Sequence, residues 1–331
     1  MSSHNEVKPY QQGAVLLVFI AVLVMTLAWL SYALLGDLGQ KLKRQQAQDV
    51  GMVLAEAKEN LLVFAEMQPS IYNNINLDEV SGIGYLPVPD FDNDGRMGLG
   101  MANLNTNTNS DNVIGLFPSV KDGNAATGNG YFFFGFRDGC IQSTPQSCIR
   151  DSNMLWYAMS GRSNSPGDIR LTSRRTGVNT RALNSNTLRN ELMLNMDGSP
   201  LPNACSTSGV VCVDGQPVVA VLLAPGSPLE GQERSSASLS FANYLDMANA
   251  DSNLYNFVSR YISGHSCASG VSNSSSCFND RIITITYKEW KEAMERRVKE
   301  DENFSSLCSG TLSNNHWLKR NEWHTVSGIC P

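Results

Sequence analysis

AVLLVFIAVLVMTLAWLSYALL, residues 14–35, is a run of twenty-two residues without a charged side chain. At about 1.5 Å per residue such a helix crosses a hydrocarbon core roughly 30 Å thick. A secretory signal has a shorter apolar region, about 7 to 15 residues, with a small-residue cleavage site after it, so this run is expected to stay on the protein as an anchor. Trp29 and Tyr32 lie toward its far end, where amphipathic rings favour the headgroup zone. Before it stand thirteen residues, MSSHNEVKPYQQG, and Gly13 directly adjoins the apolar run. A short hydrophilic segment, a glycine and then the anchor is the reverse of the order in a secretory signal.

Downstream, GDLGQKLKRQQAQDVGMVLAEAKENLLVFAEMQ carries strong helix formers, with Leu38, Leu42, Val50, Val53, Leu54, Ala57, Leu61 and Phe64 recurring at threes and fours. The spacing predicts an amphipathic helix that continues the anchor to Gln68, where Pro69 stops it. At about 1.5 Å per residue, a helix over 14–68 is about 80 Å long. Residues 69–130 are rich in Pro, Gly, Asn and Ser, including NLNTNTNSDN at 103–112, and read as a long surface-loop region. Strands are expected at YFFFGF (131–136), MLWYAM (154–159), PVVAVLLAPG (217–226) and RIITITY (281–287). YKEWKEAMERRVKED, 287–301, follows as an amphipathic helix with Trp290, Met294 and Val298 on one side. The expected class is α+β, a long N-terminal transmembrane helix packed on a mostly antiparallel sheet domain with long loops and disulfides. The divisions are 1–13 before the anchor, 14–36 in the membrane, 37–68 beyond it and 69–331 as the globular domain.

With 42% apolar residues the domain can bury a core, and a net charge of −6 with scattered Lys and Arg offers no basic face for nucleic acid. Eight cysteines, at 140, 148, 205, 212, 267, 277, 308 and 330, all follow the anchor. Structural zinc needs close pairs such as C-x-x-C, and neighbouring cysteines here enclose 7, 6, 9 and 21 residues. Disulfides are the expected use, and among 105 connectivities the preferred map joins neighbours, Cys140 with Cys148, Cys205 with Cys212, Cys267 with Cys277 and Cys308 with Cys330. Bridges persist in oxidising compartments such as the bacterial periplasm. Lys41, Lys43 and Arg44 outnumber Lys8, which a positive-inside count reads the other way. The cysteines weigh more, and the expectation is a single-pass inner-membrane protein with a periplasmic domain.

The order of leader, Gly13 and apolar helix resembles the class III leader of type IV prepilins and type II secretion pseudopilins. That resemblance implies cleavage by prepilin peptidase between Gly13 and Ala14 and N-methylation of Ala14. The family usually carries Lys or Arg just before the glycine, where this chain has Gln11 and Gln12. Its major subunits carry glutamate at the fifth mature position, which here is Val18, so the resemblance points to a minor subunit at a tip or in an initiating complex. GYLPVPDFDNDG (84–95), LWYAMSG (155–161), VVAVLLAPG (218–226) and FNDRIITITYKEWKEAMERRV (278–298) resemble a group of large pilin-like proteins whose counterparts read LPCPDTDGDG, LWYAVS, and NDRLLxIT followed by VERRV. Val88 stands where that pattern often has cysteine. Implied partners are other pilins or pseudopilins through the N-terminal helix, the inner membrane and the prepilin peptidase.

Asp90, Asp92 and Asp94, with Gly95 at the sixth position, match the first half of a calcium loop. The twelfth position is Met101, so closure would fall to Asp111 or Asp122, and a solvated acidic turn is the competing reading. Calcium ordering loops in several pseudopilins supports the calcium reading by resemblance. For catalysis the inventory is His4, His265, His316 and His324, with no G-x-S-x-G, H-E-x-x-H, P-loop or G-x-G-x-x-G motif. His316 and His324, beside Trp317 and Trp323, read as part of a packed cap at the surface. A non-enzymatic assembly subunit is the leading expectation. An uncleaved anchored binding or adhesive protein comes second, and an anchored hydrolase third.

Overall fold

The computed structural model describes residues 23–25, 50–67, 82–86, 89, 114–117, 155–160, 182–207, 209–226, 232, 243–250, 255–259 and 280–331. The chain divides into two units, residues 1–51 and 52–331. In the first, residues 23–25 of the apolar run are helical and exposed. Among the described residues no helix is long and apolar enough to cross a membrane. The strand expected at 131–136 lies outside the described residues.

The second unit is α+β. Helix α1 covers residues 50–67 and crosses the unit boundary. Strands β2 (Trp156–Met159), β5 (Ala220–Ala224) and β7 (Arg281–Ile285) come from the expected runs, while β1 (Ile114–Leu116) lies in the stretch read as loop. They form a four-stranded sheet in the order β1-β2-β5-β7 with every neighbour antiparallel. Its register pairs Ile114 with Ala158, Trp156 with Leu223 and Val221 with Thr284. Every residue of β2 and β5 is buried, which explains why these segments read as continuous apolar runs without alternation. By the two-residue period, Trp156, Ala158, Val221 and Leu223 share one face, where they join Val211, Val213, Val218, Tyr244, Leu245 and Phe257 in a core cluster.

Between β2 and β5 lies α2 (Ser185–Glu191), and then the short strands β3 (Cys212–Val213) and β4 (Gln216–Pro217). Asp214 and Gly215 turn the β3–β4 hairpin with φ of 50° and 76°. Two successive positive φ values are what a two-residue hairpin with right-handed strand twist demands, and Asp-Gly supplies them at low cost. With β6 (Asn256–Phe257) they make a second sheet, order β4-β3-β6, whose β3–β6 pair is parallel. That pair is the exception to the expected antiparallel pattern.

After β7 the chain turns directly into α3 (Tyr287–Lys299), followed by α4 (Phe304–Cys308) and α5 (Trp317–Arg320). Thr286 and Glu289 close a reciprocal capping box at the start of α3. Trp290, Ala293, Met294 and Val298 form its buried face, as the spacing predicts. The composition of residues 69–130 suggests only surface loop, yet Ile83, Tyr85 and Leu86 are buried and β1 lies in the sheet. Gly82 and Gly84, with φ of 102° and 95°, allow this segment to lie where side chains would not fit.

Candidate functional site

Two features of the second unit stand apart from its core: the seam between α1 and α3, and the lobe closed by a disulfide at the C-terminus. Along the seam, α1 buries Leu54, Ala57, Leu61, Phe64 and Ala65, an i, i+3, i+4 stripe. Lys58 meets Glu289 at 2.5 Å and Glu66 meets Arg296 at 2.8 Å. The pairs have opposite polarity and ascend both helices together, so α1 and α3 run side by side in the same direction. Reversing either helix would set Lys58 against Arg296 and Glu66 against Glu289, and like charges would then specify against that arrangement.

Glu289 serves both the seam and the cap. Its second carboxylate oxygen accepts from the Thr286 amide and hydroxyl, each at 2.9 Å, while the first takes the Lys58 ammonium. Partial burial pushes its pKa up, but the hydrogen bonds from Lys58 and Thr286 outweigh it and hold the carboxyl below its ordinary value. The Ala65 carbonyl accepts the Gly84 amide at 2.9 Å, and the Gly84 carbonyl accepts Trp290 Nε1 at 2.9 Å. Segment 82–86 is thereby linked to both helices. A Cβ on Gly84 would collide with the Trp290 ring.

The side of α1 turned away from the domain is also partly apolar. Met52, Val63 and Met67 are 63%, 37% and 42% exposed, and Ala55 is exposed with them, alongside Glu56 and Glu59. These positions recur at threes and fours, and so form a second stripe on the same helix.

The lobe is closed by Cys308–Cys330, and a second disulfide joins Cys205 to Cys212, the first residue of β3. Both match the expected neighbour map. Trp323 stacks on Trp290 with ring centroids 6.4 Å apart. Asn321 is the buried hub: its Oδ1 accepts the Leu183 amide at 3.0 Å and the Tyr85 hydroxyl at 3.2 Å, and its Nδ2 donates to the Trp317 carbonyl at 2.9 Å. Asn184 Nδ2 donates back to the Asn321 carbonyl at 2.7 Å, while Asn184 Oδ1 caps α2. Ser185 and Tyr287 complete the contact of α2 with α3, through Ser185 Oγ to Glu295 at 2.7 Å and Tyr287 Oη to the Ser185 carbonyl at 3.0 Å. Burial raises the Tyr287 pKa, with Arg189 opposing and Glu295 reinforcing the shift. This hub was not anticipated from the sequence; the one local signal for it was Asn184 three residues before Thr187, a capping pattern.

The residues expected to carry processing and metal binding, Gly13, Ala14, Asp90, Asp92, Asp94, Asp111 and Asp122, lie outside the described residues. So do Cys140, Cys148, Cys267, Cys277, His4 and His265. Among the described residues no group of three or more His, Cys, Asp or Glu side chains is placed to hold a metal ion. His316 caps α5 and His324 is exposed in the lobe. Compared with known protein families, curated proteins and solved structures, the chain matches none.

Proposed function

We propose that this chain is a minor subunit of the type IV pilin and type II secretion pseudopilin kind, working by helix packing and contact with partners and not by a reaction. In this reading residues 1–13 are a leader removed by prepilin peptidase, Ala14 becomes the methylated first residue, and residues 14–36 anchor the chain in the inner membrane. Residues 37–68 continue the helix, and residues 69–331 form the periplasmic domain. The observation that carries the reading is the double-sided α1. Its inner stripe is committed to the domain, while Met52, Ala55, Val63 and Met67, with Glu56 and Glu59 among them, leave a partly apolar stripe outside, as suits a helix with lateral neighbours. The two disulfides agree with an oxidising compartment.

The alternative of an uncleaved, anchored binding or adhesive protein is favoured by Gln11, Gln12 and Val18. Intact-mass measurement of the membrane-extracted protein, from its native host and from a strain lacking prepilin peptidase, separates the two. Loss of residues 1–13 with a methylated Ala14, dependent on the peptidase, is the expected result. An intact Met1 end in both strains would overturn the pilin reading in favour of the anchored protein.

A further inference from the structure

We propose that His316 is an acid-sensitive latch on the C-terminal lobe: its neutral ring caps α5, and its protonation loosens the loop between Cys308 and Cys330. The Leu318 amide donates to His316 Nδ1 at 3.3 Å, so the side chain serves as the N-cap acceptor of α5. An imidazolium carries a proton on both nitrogens and has no acceptor left. It also places positive charge at a helix start, where exposed amides already disfavour it. Thus one proton removes the cap and adds a repulsion.

The charges around the ring come from two elements. Asp301 and Glu302, on the turn after α3, favour protonation, while Arg320 on α5 opposes it. Burial is the largest influence and, with Arg320, holds the His316 pKa below its ordinary value of 6.5. The ring also lies against Trp317, with centroids 5.9 Å apart. Because the folded value is depressed, the stabilising contribution is complete above the unfolded value. It is lost as pH falls through that value toward the folded one.

What the latch holds is specific. Trp317, Leu318, Asn321 and Trp323, all buried, sit on the loop that His316 starts, and they cover Tyr85, Asn184 and Trp290. The disulfide keeps a released loop attached, with a sequence separation of 22 between its cysteines. Opening is therefore local and reversible, and it uncovers the stacked Trp290 and Trp323 rings.

The test is hydrogen exchange of the full chain in detergent, followed at the amides of residues 317–323 in wild type and in His316→Asn. Asparagine keeps a cap acceptor and does not titrate in this range. Near pH 7.5 the two proteins are expected to exchange alike, and near pH 5 the wild-type loop is expected to open about tenfold more often, the size of one lost cap plus a helix-end charge. Comparison at each pH cancels the intrinsic pH dependence of exchange. A wild-type to variant ratio that stays constant between the two pH values overturns the proposal. Should the variant not fold, nitrogen NMR of the wild-type ring decides: a proton on Nε2 alone near pH 7.5 supports the latch, and a proton on Nδ1 overturns it.

Discussion

Helices α1 and α3 lie side by side and bury similar stripes, but their outer faces differ. That of α3 is finished for water: Lys288 and Glu292, 84% and 65% exposed, pair at i, i+4, and Lys291 pairs with Glu295 at the margin of that face, with an acidic residue in its first turn and basic residues in its last. The outer face of α1 sets Met52, Ala55, Val63 and Met67 among two glutamates and has no such ladder among the described residues. Inner faces report how a helix joins its own domain; outer faces report what else it is meant to touch. By that test the outer face of α3 is suited to water, and that of α1 carries the apolar side chains on which the proposed function rests.

If the inner faces are equivalent, truncating either should cost alike. Leu61→Ala on α1 and Met294→Ala on α3, both fully buried, are each expected to lower unfolding free energy by about 2–5 kcal/mol, read by chemical denaturation. A cost confined to α3 would mean that α1 is only loosely seated. A smaller effect tests the seam itself. Lys58→Glu should destabilise by about 1 kcal/mol, since Glu289 is partly exposed, and Glu289→Lys added to it should recover part of that loss in a double-mutant cycle. No recovery would show that the charges do not set the register.

The same pair makes stability depend on pH. The folded pKa of Glu289 is held below the ordinary 4.5, so its contribution is full above that value and fades as pH falls through the folded one. Denaturation midpoints of wild type and Glu289→Gln should therefore be separated above the ordinary 4.5 and converge as pH falls below it through the folded value. The smallest stability effect belongs to the outer faces. Val63→Glu and Met67→Glu, like Lys288→Glu, should each change stability by no more than about 0.5 kcal/mol. Their effects on assembly should diverge: crosslinking of the protein to its neighbours in native membranes is expected to fall for the two α1 variants and to hold for Lys288→Glu. Equal behaviour of all three would erase the distinction between the faces.

Much of this fold was legible because its elements are locally consistent. The β2, β5 and β7 runs are apolar or β-branched, and α3 announces itself through Thr286, Glu289 and the spacing of Trp290, Met294 and Val298. The two disulfides joined sequence neighbours, the cheapest loops to close. By contrast, α2 is only seven residues long and gave little periodic signal, and the glycine-rich segment 82–86 read as surface loop although it is buried against Trp290 and Asn321. Composition reports local preference, and that segment is buried because glycine permits close approach to rings that arrive from elsewhere in the chain.

The sequence by itself determined the apolar run at 14–35, the α+β class, the nuclei of β2, β5, β7 and α3, and the pairing of Cys205 with Cys212 and of Cys308 with Cys330. Each rests on side-chain chemistry within one turn, strand or loop. Tertiary structure alone decided that Lys58 meets Glu289 across 231 positions and Glu66 meets Arg296 across 230, and that Asn321 gathers Leu183, Tyr85 and Trp317. It also decided which stripe of α1 is covered and which is left outside. A hydrophobic period marks a face but does not name its partner, because contact between distant segments is fixed by packing and charge complementarity in three dimensions, which no local window contains.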